Sequence, residues 1–410
     1  MKKFITLALC GAAMLTAGAQ KATVDQANKL AGKVDKIEEA RALIQQALQN
    51  PETANQAETY YVAGKIEWDA YDKQKATQMY DPSKVDPYKM GEELINGFNY
   101  FIKVIPLDEK EVKPKYAKKL KGEISKRIDD FYNAGAVLLE EREYYPKAYE
   151  AFMIYGDMPE MAELGDKRPE IKDTLRSRAW AYYYAGRAAF SANNVENALN
   201  AFRKARKNNF VSYDDKAPNA HVFEITCWQE IEKNDTSRHA EANENVLEIA
   251  KDGLRVYGVF QEMGNGPQPY FLNNMVERLT NMGRSQEALS VLNKTIAENP
   301  NSSALYALRG WLNDNLENQE AALNDYLAAV ELPDVTYPTM RSAIHRLLYT
   351  GQTKLNDIDY NDPDYGNKKE QIKNEYIVRA QQLIQKAESM TDDPSDLSYY
   401  KENVEYLLGK

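Results

Sequence analysis

EALSVLNKTIAENP, residues 287–300, is followed 34 positions later by a similar phrase, AALNDYLAAVELP, at residues 321–333. Both phrases carry a small residue, then a second residue four positions on, a third after three more, and a proline: Ala288, Leu292, Thr295 and Pro300, then Ala322, Tyr326, Ala329 and Pro333. Spacings of four and three place side chains on one face of a helix. Proline ends a helix because it has no N–H to donate. The two phrases therefore predict two helices with the same packing face and the same end.

Another helix is predicted before each phrase. The segments PYFLNNMVERLTNMGRS (269–285) and SALYALRGWLNDNLEN (303–318) have helical apolar spacing, and Gly310 permits two helices to approach closely. The two complete repeats, 269–302 and 303–336, follow one another without a spacer. Further copies of the second-helix pattern occur at Ala40/Ile44/Ala47, Leu94/Phe98/Phe101, Ala148/Phe152/Tyr155, Ala198/Phe202/Ala205, Ala250/Leu254/Tyr257 and Ala380/Ile384/Ala387. Eight helix pairs are predicted over most of residues 21–391, with a closing helix near 396–408.

On these residues the chain resembles the tetratricopeptide repeat (TPR) family, whose 34-residue unit is a helix–turn–helix. The resemblance implies an all-α fold: a right-handed α-solenoid of about eight TPR-like hairpins with a C-terminal capping helix. The alternative is an ordinary multi-helix bundle that contains alanine pairs by chance. The implied division is a signal peptide at 1–19, a degenerate hairpin at 20–56, a hairpin with an insertion and connecting segment at 57–128, two hairpins with a spacer at 129–212, an extended hairpin at 213–268, two contiguous TPRs at 269–336, and a degenerate hairpin with an insertion and capping helix at 337–410. Insertions are predicted near 72–88, 233–242 and 354–370.

The first twenty residues, MKKFITLALCGAAMLTAGAQ, have the pattern of a cleavable secretory signal. Lys2 and Lys3 precede an apolar stretch that is shorter than a membrane-spanning helix, and cleavage is predicted before Gln20. Acylation of Cys10 is disfavoured because Leu9 stands where a lipoprotein signal needs a small residue. We therefore expect an exported bacterial protein in the periplasm, with Cys227 as its one remaining cysteine and no internal disulfide.

Composition limits the class of partner. The chain has 410 residues, is 43% hydrophobic and has a mean hydropathy of −0.65, which argues against a membrane-spanning protein. Removing Lys2 and Lys3 leaves 50 basic residues against 62 acidic ones, so the net charge moves from −10 to −12. A nucleic-acid partner is not expected, because binding to phosphates needs a basic surface.

The sequence contains no constellation that predicts catalysis. His221, His239 and His345 lie in different repeats without partners at metal-ligand spacing, so no metal or cofactor is expected. The segment starting at Asp357, DIDYNDPDYGNK, is similar to a calcium loop, but it lacks the required glycine and the terminal glutamate, and it is better interpreted as a polar turn. We therefore predict a non-enzymatic protein.

The remaining functional feature is a surface. In the TPR family the first helices line a concave groove, and this resemblance projects the following residues onto it: Tyr61, Lys65, Trp68, Trp180, Tyr183, Arg187, Phe190, Tyr270, Asn273, Glu277, Trp311 and Asn315. Tyr, Trp and Arg concentrate binding energy at interfaces. The opposing interpretation is that most of the 28 tyrosines are packing residues. We expect a scaffold that binds a protein or peptide, with a glycan or small-molecule module of the outer membrane or periplasm as the alternative. Substituting Trp180 or Tyr183 by alanine is expected to weaken partner capture without changing helicity.

Overall fold

The computed structural model describes residues 17–210, 218–263 and 266–409. The predicted signal peptide, residues 1–19, lies outside the described residues except for 17–19, and Cys10 lies outside them entirely. The described residues divide into two compact units, the first comprising 17–210 together with 222–227, and the second comprising 218–221, 228–263 and 266–409. The helix α10 contributes residues to both units.

The described residues of the first unit form nine helices before α10. Their bounds are α1 Ala17–Ala31, α2 Ile37–Gln49, α3 Ala57–Gln78, α4 Pro87–Asp108, α5 Ala117–Lys126, α6 Ile128–Leu138, α7 Tyr145–Asp157, α8 Arg178–Ser191 and α9 Val195–Lys207. Successive long helices pack against one another in chain order, and the short α5 lies against α4. This order is the arrangement of stacked hairpins.

The second unit continues the pattern with one small sheet. Its elements are α10 Asn219–Asn234, α11 His239–Tyr257, β1 Gln261–Met263, β2 Gly266–Gln268, α12 Tyr270–Asn281, α13 Ser285–Glu298, α14 Ser303–Asn315, α15 Gln319–Val330, α16 Tyr337–Asn356, α17 Tyr365–Ile372, α18 Arg379–Glu388 and α19 Ser398–Leu408. A π-helical segment, Lys373–Val378, joins α17 to α18. The strands β1 and β2 form an antiparallel hairpin. The prediction of an all-α fold of helical hairpins with a closing helix is confirmed, and α19 packs on α16 and α18 as that closing helix.

Close glycine contacts hold the hairpins together. A Cβ on Gly186 of α8 would lie 2.7 Å from the ring of Phe202 on α9, and one on Gly310 of α14 would lie 3.1 Å from the ring of Tyr326 on α15. Because glycine lacks that atom, the ring of the second helix fits against the backbone of the first. In both hairpins the glycine of the first helix therefore packs directly against the large residue of the second helix.

In the second hairpin, α3–α4, the predicted position of the second-helix pattern is wrong. The sequence predicts the second-helix pattern at Leu94, Phe98 and Phe101, with Phe98 as the large residue. The ring that contacts Gly64 of α3 is instead that of Phe101. The small residue four positions earlier is Gly97, where a Cβ would lie only 2.0 Å from the Trp68 ring. The pattern therefore lies three residues later than predicted. The prediction was wrong because Phe98 is also buried, but it packs on Phe131 of α6.

The long hairpin α3–α4 explains the first predicted insertion. Both helices have 22 residues, so most of the segment near 72–88 extends the two helices. The helix α4 begins at Pro87 because Asp86 accepts hydrogen bonds from the N–H groups of Tyr88 and Lys89 at 3.0 and 3.1 Å. The segment near 233–242 comprises the end of α10, a short 3-10 turn at Thr236–Arg238 and the start of the 19-residue α11. The segment near 354–370 forms the end of α16, a turn and the start of α17.

A buried charge network ties α2 to α3 and α4. The Arg41 guanidinium donates to Glu67 at 3.0 and 2.7 Å and to Glu93 at 2.9 Å. Gln74 donates to the other oxygen of Glu93 at 2.5 Å. Burial raises the pKa of Glu93 above its usual range although both donors favour the charged form. The side chain of Arg41 therefore links three successive helices through hydrogen bonds.

Among the described residues, no helix is long and apolar enough to cross a membrane.

Candidate functional site

The second unit contains an open cleft between α12, α14 and α16, which are the first helices of three successive hairpins. We call it the A-helix cleft. The 34-residue period places Asn273 of α12 and Ala307 of α14 at equivalent positions, and both line the cleft. Its volume is about 860 Å³ and its lining residues are Gln268, Pro269, Asn273, Ala304, Ala307, Leu308, Thr336, Tyr337, Pro338, Thr339 and Met390. A volume of this size accommodates several residues of a partner.

The lining is uncharged and combines apolar with polar side chains. The small residues Ala304 and Ala307 leave room between the helices, while Leu308, Met390 and Tyr337 supply apolar surface. In the described residues, neither the Gln268 nor the Asn273 side-chain amide makes a hydrogen bond. Each amide therefore offers one acceptor and two donor positions to a ligand.

Local hydrogen bonds fix the wall formed by the start of α16. The Tyr337 hydroxyl donates to Asp396, which also lies 3.1 Å from the Arg341 guanidinium. Partial desolvation and then the bond to Asp396 raise the pKa of Tyr337 to about 12, so the hydroxyl remains a donor at neutral pH. The segment before α19 thus holds the aromatic ring against the cleft.

A second recess adjoins the A-helix cleft and shares Gln268, Ala304 and Thr336 with it. It has a volume of about 550 Å³ and is also lined by Phe260, Pro267, Glu298, Asn299, Pro300, Asn301, Ser302 and Asp334. Asp334 accepts hydrogen bonds from the Ser303 N–H at 3.0 and 3.1 Å and so caps the start of α14. The recess and the cleft form one continuous lined surface.

The β1–β2 hairpin borders both cavities. The buried Gln261 side chain donates to the Gly258 carbonyl at 2.6 Å, which anchors β1 after α11. Pro267 in β2 has no N–H, so this strand cannot extend a regular ladder to an added strand.

The groove residues projected onto the second unit are mostly accessible. Asn273 lines the cleft, and Glu277 is exposed one turn further along α12. Trp311 is 36% exposed and Asn315 is exposed, both on α14. Tyr270 is half-buried, and its ring contacts that of Phe271 with 5.4 Å between centroids.

The aromatic residues projected onto the first unit lie in packed surroundings instead. Trp180 is 9% exposed and Tyr183 is 7% exposed. The Tyr183 ring stacks on Phe210 at 4.3 Å between centroids, and the Trp180 ring meets the same phenylalanine edge-on at 4.8 Å. Trp68 is 5% exposed, and its indole N–H donates to the Leu94 carbonyl at 3.0 Å. These rings fill space between helices, because neighbouring helices present further rings to them.

The other four projected residues of the first unit are half-buried or exposed. Tyr61 is half-buried and stacks on Tyr116 at 4.2 Å between centroids. Lys65 is half-buried and pairs with Asp69 at 2.5 Å, while Arg187 is exposed and Phe190 is half-buried. Partner contact by any of the projected residues stays a prediction.

Sequence reasoning missed most of the cleft wall. Gln268 lies in β2, Thr336 and Met390 lie in connectors, and Tyr337 begins α16, a first helix from which no residue was projected. The projection rule considers only positions within the first helices. The alanines at 304 and 307 were a usable signal, since two small residues on one helix face leave a depression.

The other polar sites give no support for chemistry. Among the described residues, no group of three or more His, Cys, Asp or Glu side chains could hold a metal ion. Burial raises the pKa of Cys227 to about 12, which keeps its thiol protonated. His221 is buried and lies 3.0 Å from Asp252, and His239 lies 2.5 Å from Glu232, so both imidazoles make hydrogen bonds that join neighbouring segments of the fold.

These observations define the class of the protein: a chain of stacked, TPR-like helical hairpins. No protein-family model matches the chain, and no curated protein matches it in sequence. The chain is similar to the solved structures of the APC/C hetero-tetramer Cut9–Hcn1 (12% identity, 95% of this chain and 84% of that chain, TM-score 0.29), the TPR domain of P58(IPK) (14%, 82% and 99%, 0.23) and yeast Tom70 (11%, 96% and 96%, 0.23). The assignment of the hairpin fold rests on the geometry of the chain itself.

Proposed function

We propose that the chain is a non-enzymatic scaffold that binds a protein partner through a peptide segment held in the A-helix cleft. The observation that carries this proposal is the cleft itself. It has an uncharged apolar floor, room provided by Ala304 and Ala307, and the unbonded amides of Gln268 and Asn273 at its side. An extended peptide needs such surroundings, because its own N–H and C=O groups require partners once water is excluded.

We further propose that the protein acts in the periplasm after export. The support is the N-terminal pattern of two lysines, an apolar stretch and small residues before Gln20. A periplasmic scaffold of this kind would meet its partner in the envelope.

Filling the cleft should weaken peptide capture. Ala307→Leu adds three carbon atoms to the floor without changing charge, and we expect peptides selected from a random linear library on the full chain to bind this variant at least about tenfold more weakly. Asn273→Ala removes one exposed amide and should weaken binding by a smaller factor. The affinities are measured by fluorescence polarisation with synthetic selected peptides.

The matched control is Ala321→Leu, which makes the same change at an exposed position of α15 outside the cleft. It should bind as the unaltered chain does. Equal binding to Ala307→Leu and to the control would contradict the proposal, provided that thermal melting shows both variants folded. Asn273 is exposed, so Asn273→Ala keeps the test valid if Ala307→Leu does not fold.

Glycan binding is the second outcome of the same experiment. Exposed rings such as Trp311 can stack on sugars. A glycan array that detects binding sensitive to Trp311→Ala, together with no cleft-dependent peptide, would favour that function.

A further inference from the structure

The border of the A-helix cleft is acidic, whereas its floor is uncharged. Glu277 lies on α12 one turn beyond Asn273, is exposed and makes no ion pair within the described residues. Glu298 and Asp334 line the adjoining recess, and no basic side chain lines it. A ligand that crosses from the cleft to the recess therefore meets the carboxylates of Glu298 and Asp334, whereas one that extends along α12 approaches Glu277.

Arg341 and Lys294 are basic residues near this border, and each is paired with a carboxylate. The Arg341 guanidinium is paired with Asp396 at 3.1 Å. Lys294 approaches Glu298 at 4.0 Å, but both side chains are mostly exposed, so the pair neutralises little of the local field. Asp334 caps α14 through the Ser303 N–H, which satisfies a backbone donor and leaves the carboxylate charge in place.

We infer that the cleft selects an extended peptide segment in which an apolar side chain is flanked by Lys or Arg. This inference rests on the proposed function and specifies its ligand. The apolar side chain packs on the floor beside Ala307, and the main chain bonds to the amides of Gln268 and Asn273. The basic side chain reaches Glu298 or Glu277.

Acidic segments are disfavoured for the same reason. A carboxylate in the recess would face Glu298 and Asp334 and would find no basic lining residue. The chain as a whole has a net charge of −10, which also slows the approach of acidic partners and speeds that of basic ones. The negative charge at the border thus favours basic peptides over acidic ones, and it also raises the rate at which basic peptides associate.

The test uses the random linear peptide library on the full chain. We expect the peptides that depend on Ala307 to be enriched in Lys and Arg beside an apolar residue and depleted in Asp and Glu. The tightest synthetic peptide should bind the Glu277→Gln/Glu298→Gln variant about three- to tenfold more weakly, and its binding to the unaltered chain should weaken as salt is raised. Glu140→Gln/Glu141→Gln makes the same charge change at exposed positions of the first unit and should leave the affinity unchanged.

The outcomes separate the two proposals. Peptides that lose binding to Ala307→Leu but carry no excess of basic residues, or that bind both glutamine variants equally, overturn this inference and leave the peptide-binding function standing. A library that yields no peptide sensitive to Ala307→Leu overturns both. Glu277 and Glu298 are exposed, so neither substitution removes a packing contact on which folding depends.

Discussion

Trp180→Ala should lower the free energy of unfolding of the first unit by about 3–5 kcal/mol, the usual loss for a large buried aromatic side chain. The Trp180 ring is 9% exposed and contacts the rings of Tyr183, Tyr184 and Phe210. Its removal leaves a cavity that three rigid rings fill poorly. Urea unfolding followed by far-ultraviolet circular dichroism measures the change.

The matched substitution Trp311→Ala should cost less, about 1–2 kcal/mol, because this side chain is 36% exposed on α14 and buries less apolar surface than Trp180. Equal effects of the two substitutions would show that Trp180 is not a packing residue. The comparison also decides how a loss of partner capture by Trp180→Ala is interpreted, since unfolding of the first unit would reduce capture without any direct contact.

Arg41→Met should destabilise the first unit by about 2–4 kcal/mol at neutral pH. Removing one partner of a buried ion pair typically costs about 3–5 kcal/mol, and the partial exposure of Arg41 reduces that figure. The Glu93 side chain is only 4% exposed and would lose its charged donor. The exposed pair Lys36–Glu39 provides the control, because Lys36→Met should leave stability unchanged within error.

The same variant should recover stability as the pH falls. Burial already raises the pKa of Glu93, so the folded state takes up a proton at a higher pH than the unfolded state does. Such a group stabilises the fold as pH falls through its folded pKa. Without Arg41 that pKa rises further, so the deficit of Arg41→Met should shrink between about pH 7 and pH 5. Denaturant midpoints measured across this range would contradict the account if the deficit stayed constant or grew.

The fold could be predicted from the sequence because its signal is local and periodic. Ala288 and Ala322, or Gly186 and Phe202, lie at fixed spacings within one hairpin, and each pair of helices packs mainly on its chain neighbours. The register of α4 could not be predicted in the same way. Its helix is buried on two sides, so Phe98 and Phe101 both have core spacing, and only the contact with Gly64 distinguishes them.

The candidate site could be predicted only in part. Asn273 was projected because of its position in a first helix, whereas Met390 reaches the cleft from a connector that has no periodic signal. Tyr337 begins α16, a first helix from which no residue was projected. Trp180 was projected onto a groove by its position in α8. Whether such a ring lines a groove or fills a core depends on neighbours such as Phe210, which lies outside the helix-B pattern.

Hydrogen–deuterium exchange of the full chain, with and without the tightest selected peptide, tests the central claim most directly. The account predicts slowed exchange in the first turns of α12, α14 and α16 and in the connectors at 299–302 and 333–336, with no change in α8 and α9. Slowed exchange confined to α8 and α9, with the second unit unaffected, would contradict it.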